Sequence, residues 1–229
     1  MQAVGSSMTR QRHYLNEILK RRSRDFKRVE RTRQLQRRMD VLLAAEDWLQ
    51  HALYVGRRER LELLRHFPVA LIATIESYFR MSCRDLINSG EPFISNSKHL
   101  RDVSINIELA AAIAAKRVTL GEAIAHQLQH SRREHVTETL STLLNADFIE
   151  LVELDFGEQK ENLHKWIFPI VDEAYQQRHI FCHEIAQMHT VQPRHIRSML
   201  LCGFVFLASI ETIIANALGG QKQIEKAHR

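Results

Sequence analysis

The stretch Arg178-His179-Ile180-Phe181-Cys182-His183 lies in a run from Ile170 to Met188 that holds neither glycine nor proline. Such a run reads as helix interior. On a helix, His179 and His183 are four residues apart and share a face, while Arg178 sits around the side and reaches across on its long stem. A permanent guanidinium charge with a planar fork of donors, next to imidazoles that move a proton near neutral pH, suits phosphate chemistry.

Working outward, the flanking sequence also reads as helix. The helix bearing this stretch is expected from about Asn162 to Met188, kinking or starting at Pro169. A loop, Thr190 to Pro193, leads to a last helix from about Pro193 to Leu218, with Gly219-Gly220 as its stop. That helix is nearly apolar from Met199 onward, which predicts a central helix or half of a subunit interface. Its apolar run, Met199 to Ile210, is interrupted by Glu211 and predicts a segment too short to span a bilayer. Met1 to Met8 lacks the apolar core of a signal peptide, so a soluble chain with no membrane contact is expected.

Upstream, Asp147 to Glu161 carries six acids against Lys160 and reads as helix end and linker, an acidic patch able to dock the basic N-terminal helix. Helices are expected over about Lys98–Arg117, Leu120–Gln129 and Arg132–Leu144, with Thr119 and Glu122 spaced as a capping box. His126 and His130 are four apart, but no third ligand lies at a helpful spacing, and two exposed histidines are the plainer reading. Pro68 fits the first turn of a helix from Phe67 to about Asn88, with a stripe of Ile72, Ile75, Phe79, Cys83, Leu86 and Ile87. Glu76 falls inside that stripe. A carboxylate on a buried face needs a partner, and Arg178 is a candidate.

From Thr9 to about Tyr54 there is again no glycine or proline, and a narrow apolar stripe including Leu35, Met39 and Leu42 predicts one long helix or two in line. Between Thr9 and Arg38, twelve Lys/Arg face three acids, so +9 of charge sits here and the rest of the chain carries −4 to give the total of +5. Lys20, Arg21, Arg24, Lys27, Arg28 and Arg31 are candidate RNA-backbone contacts, weighed against a merely solvated face. The division expected is a basic helical extension over 1–55, a helical bundle over 56–220 and a polar tail over 221–229.

Composition agrees with an all-α fold. The 229 residues are 45% apolar and 26% charged, and only eight glycines and four prolines argue against a turn-rich all-β chain. Cys83, Cys182 and Cys202 are widely spaced without a Cys-x-x-Cys, which suggests reduced thiols in a cytoplasm.

A helix carrying Gln176-Gln177-Arg178-His179-Ile180-Phe181-Cys182-His183-Glu184, followed by a loop and an apolar helix, resembles the HEPN superfamily. The hallmark of that family is an arginine, a polar residue after it, and a histidine with four to six residues intervening. Pro68 to Arg80 is similar to the family's first core helix, which often carries an acid where Glu76 stands. The resemblance covers roughly Arg58 to Leu218. It implies an up-and-down bundle, commonly a homodimer with the motif helices meeting in a cleft. It also implies a metal-independent endoribonuclease without cofactor, of the kind found as toxins and anti-phage effectors under an antitoxin or regulatory partner. Arg178, His183 and His179 would be catalytic, with Glu76 and Glu184 in support; Glu184 is a departure able to alter the neighbouring histidine. The competing class is a catalytically inactive HEPN-like module that binds RNA, a nucleotide or a protein. A metal hydrolase on His179, Cys182 and His183 is weaker, because His183-Glu184 lacks His-Glu-x-x-His spacing.

Overall fold

The computed structural model describes residues 28–101, 103–183 and 192–227, with side chains at 31–101, 103–182 and 192–219. Among these residues all regular structure is helical. Helix α1 spans Arg28–His51, and its inward residues Arg31, Leu35, Met39, Leu42, Glu46 and Leu49 recur every three or four positions. Lys20, Arg21, Arg24 and Lys27 lie outside the described residues, and Arg28 has a described backbone only.

Helix α2, Arg57–Asn88, is the axis of the fold. Twelve of its residues are buried, from Leu64 to Ile87, including every member of the predicted stripe. Helix α1 and all the later long helices pack against it. The helix does not start at Phe67, as the sequence suggested, but ten residues earlier. Arg57 to His66 are good helix formers, and Leu64 continues the apolar face, so burial offsets the hydrogen bond Pro68 cannot donate. Arg60 reaches back to the Gln50 and Ala52 carbonyls, at 3.3 and 2.6 Å, and satisfies orphan acceptors where α1 ends.

Short elements follow: α3 (Phe93–Ser97), α4 (Ile107–Ala114) and α5 (Leu120–Ala125). The long helix expected over Lys98–Arg117 is confined to α4. Asn106 caps it by accepting from the Leu109 N–H at 2.8 Å, and Lys116 at φ 54° turns the chain away. The Thr119–Glu122 capping box is formed as expected. Gly121 lets α5 lie against the end of α2, where a Cβ would stand 2.4 Å from the Arg84 carbonyl oxygen.

Helix α6 (Arg133–Leu144) ends on Asn145 in the left-handed region, and α7 (Phe148–Phe156) starts on an Asp147 cap. The acidic stretch is therefore a helix in its own right rather than a linker, anchored by fully buried Phe148 and Val152. A 3-10 turn, an α turn and a π turn (Leu163–Ile167) lead into α8, Phe168–His183, with Pro169 in its first turn as the sequence implied.

Helix α9 spans Pro193–Ala227 and runs straight through the glycines expected to stop it. Gly219 keeps an ordinary φ rather than the left-handed conformation in which a glycine commonly ends a helix. Gly203 brings α9 close to α2, where a methyl group in its place would stand 2.6 Å from the Leu71 side chain. By length and composition the Pro193–Gly219 part could cross a membrane, contrary to the sequence expectation; here half of that apolar window is buried in the bundle.

One core joins α1, α2, α6, α7, α8 and α9. Leu35, Met39, Leu42 and Leu49 of α1 belong to the same core as Ile75 and Leu207. Arg31 is the clearest correction. Read as part of an exposed RNA track, it is 1% exposed, pairs with Asp85 and with Glu211 (2.7 Å), and lies over the Tyr78 ring. A side chain so enclosed cannot meet an RNA backbone.

Candidate functional site

Glu76 sits on the face of α2 toward α8, and Arg80 follows four residues later on the same face. Packing of α8 on α2 brings Arg178 Nη2 to 3.6 Å from Glu76 Oε1, so the pairing expected from the sequence is present. A third element completes the cluster. Residues 126–132 connect α5 to α6, and Arg133, at the start of α6, grips Asp172 of α8 through both carboxylate oxygens, at 2.8 and 2.9 Å. The same guanidinium stacks 4.7 Å from the centre of the Phe168 ring. This clasp holds the connection against α2 and α8 and places His130 beside Glu76, with Nε2 3.7 Å from Oε2.

His130 is tightly specified. Its Nδ1 is 2.8 Å from the Leu128 carbonyl oxygen, so Nδ1 carries the proton. Nε2 is then the acceptor, and Arg80 Nη2 donates to it at 2.7 Å. Burial, and next the Arg80 guanidinium, hold the imidazole below its ordinary value, outweighing Glu76 and the Leu128 carbonyl. Neighbouring Tyr175, one turn before Arg178, is pushed well above the phenol range by burial and by the Glu76 charge. Its hydroxyl is buried without a hydrogen-bond partner among the described residues.

The cluster holds two guanidiniums, one carboxylate and one neutral imidazole, all partly open to solvent. Chemically it can bind an anion on Arg178 and offer a proton acceptor nearby. His179 is exposed on the next position of α8. His183 ends α8 as described backbone only, and Glu184 lies outside the described residues. The structure therefore unites Arg178 and Glu76, and adds Arg80, which the sequence did not single out, and His130, which was expected to be exposed and is instead largely covered. Arg80 had a legible signal, four residues from Glu76; His130 had none, because a loop position carries no periodicity. His126 and His130 do not share a helix, since α5 ends at Ala125. No group of three metal-binding side chains occurs among the described residues. Compared with known proteins, the chain matches no family model, and neither curated proteins nor solved structures show significant similarity to it.

Proposed function

We propose that the chain is a HEPN-type endoribonuclease that cleaves RNA without a metal, in a cleft where the motif helices of two copies meet, and that it acts as a toxin or anti-phage effector under a protein partner. The observation that carries this reading is the setting of Arg178. It is a half-buried guanidinium oriented by Glu76 inside a cluster with Arg80 and His130.

In the proposed reaction an imidazole takes the proton of the ribose 2′-hydroxyl, the 2′-oxygen attacks phosphorus, and the bond from phosphorus to the 5′-oxygen breaks. A protonated imidazole returns a proton to the departing 5′-oxygen, leaving a 2′,3′-cyclic phosphate. His183 takes the acid–base role and His179 supplies the second proton-transfer group or orients the phosphate. Arg178 holds the non-bridging oxygens and offsets the charge that grows on them.

The inactive-module reading draws on one observation: Glu76 already neutralises Arg178 in part. Purified wild type, Arg178→Ala and His183→Ala, assayed on RNA with and without chelator, separate the two. The nuclease reading expects cleavage by wild type, unaffected by chelator, and a loss on the order of 10²–10³ in rate for Arg178→Ala. It expects no detectable cleavage by His183→Ala. Wild-type cleavage retained by His183→Ala overturns the mechanism. An inert wild type favours the binding module.

A further inference from the structure

We infer that His130 is a positioning residue for Arg178: by occupying Arg80 it leaves the Glu76 carboxylate to Arg178, and so decides how firmly that guanidinium is held. The inference rests on the reading of Arg178 as the phosphate-binding group, but not on RNA being cleaved.

The argument begins on α2. Glu76 and Arg80 stand four residues apart with the acid nearer the N-terminus, which is the favourable order for an ion pair along a helix. Left alone, that pair would draw Glu76 toward Arg80. The geometry shows a different division. Arg80 donates to His130 Nε2 at 2.7 Å, while Glu76 pairs with Arg178 at 3.6 Å and only borders the unprotonated His130 Nε2, 3.7 Å away. This arrangement needs a lone pair on Nε2, which the Leu128 carbonyl secures by holding the proton on Nδ1.

Among the described residues, the charged groups facing His130 are Arg80 and Glu76 from α2 and Arg178 from α8, and its own connection contributes the Leu128 carbonyl. The Phe79 ring lies 6.4 Å away and closes the apolar side. A proton added at Nε2 reverses every polar contact there. The imidazolium no longer accepts from Arg80 and repels it, and the new N–H turns to Glu76 Oε2. Both changes pull the carboxylate away from Arg178. A phosphodiester competing with Glu76 for Arg178 then binds more easily. Because burial and Arg80 hold His130 below its ordinary value, this release belongs to the pH range below about 6.5.

The test uses the full-length chain and a 2′-deoxy dinucleotide. Its single phosphodiester keeps one charge over pH 5–8, and without a 2′-hydroxyl it cannot be cleaved. Calorimetry on wild type should show affinity rising by about two- to fivefold from pH 7.5 to pH 5.5 beyond whatever rise His130→Gln shows, the range expected for a partly exposed ion pair. Glutamine still accepts from Arg80 but cannot gain a proton, so His130→Gln should lack that component. Glu76→Gln, and His130→Ala if it folds, should bind tighter than wild type at pH 7.5, since each frees Arg178. In proton NMR, the resonance lost in His130→Gln should titrate below the ordinary histidine value in wild type and higher in Arg80→Gln. An identical pH response in wild type and His130→Gln, or no gain in Glu76→Gln, overturns the inference. A response as expected in a chain that leaves RNA intact would sink the nuclease reading and keep this one.

Discussion

At the scale of single residues, two acids that interrupt apolar stripes behave alike. Glu76 meets Arg178, and Glu211 meets Arg31. A carboxylate in a stripe was legible as a demand for a partner. Arg31 was not read this way, because it sits in a run of cations that looks solvated. Yet it lies four residues before Leu35 on the same face, the signal that exposed Glu76. Removing it leaves Asp85 and Glu211 without their shared cation, so Arg31→Met should cost about 3–5 kcal/mol in urea unfolding. Burial alone would raise the Glu211 carboxyl, but the Tyr78 hydroxyl and the Arg31 guanidinium outweigh it and hold it below the usual range. A carboxyl lowered by folding contributes stability present above its unfolded value and lost as pH falls through its folded one. Tyr78→Phe removes a donor, so Glu211 should titrate higher and acid unfolding, followed by circular dichroism, should begin at a higher pH than in wild type.

At the scale of elements, helices with strong local signals were legible, and the exceptions share a cause. The capping box at Thr119 and the helix over α6 follow from local chemistry, and both formed. Pro68 and Gly219 are punctuation that packing overrode: one lies in a helix buried on a wide face, the other in a helix 35 residues long. Over Lys98–Arg117 the reverse occurred, as helix-forming residues lost to the Asn106 cap and a left-handed Lys116. The junction of α5 with α2 offers a sharp check. Gly121→Ala would drive a methyl group onto the Arg84 carbonyl and the Asn88 side chain, and should destabilise by about 1–3 kcal/mol in chemical denaturation. Thr119→Ala, which removes the cap but no packing, should cost about 1 kcal/mol.

At the scale of the whole molecule, the all-α class was legible from composition, but the dependence of the N-terminal helix on the rest was not. Burial of α1 depends on α2 and α9, and nothing local in a basic amphipathic helix says what covers its stripe. Deleting residues 1–54 should therefore lower helical content in the remaining chain and promote aggregation rather than simply weaken RNA binding. The electrostatic contribution is better read by changing Lys20, Arg21, Arg24 and Lys27 to Gln together. If they contact single-stranded RNA, the slope of log affinity against log salt should fall by roughly 3, about 0.7 per charge; an unchanged slope excludes them. The Arg31–Glu211 link joins residues 180 positions apart, across nearly the whole described chain. During synthesis at about 5–20 residues per second, α1 leaves the ribosome on the order of ten to tens of seconds before its partner helix exists. For that interval its apolar stripe and its inward arginine have only α2 to rest on. The last step of assembly is the closing of the end of the chain over its beginning.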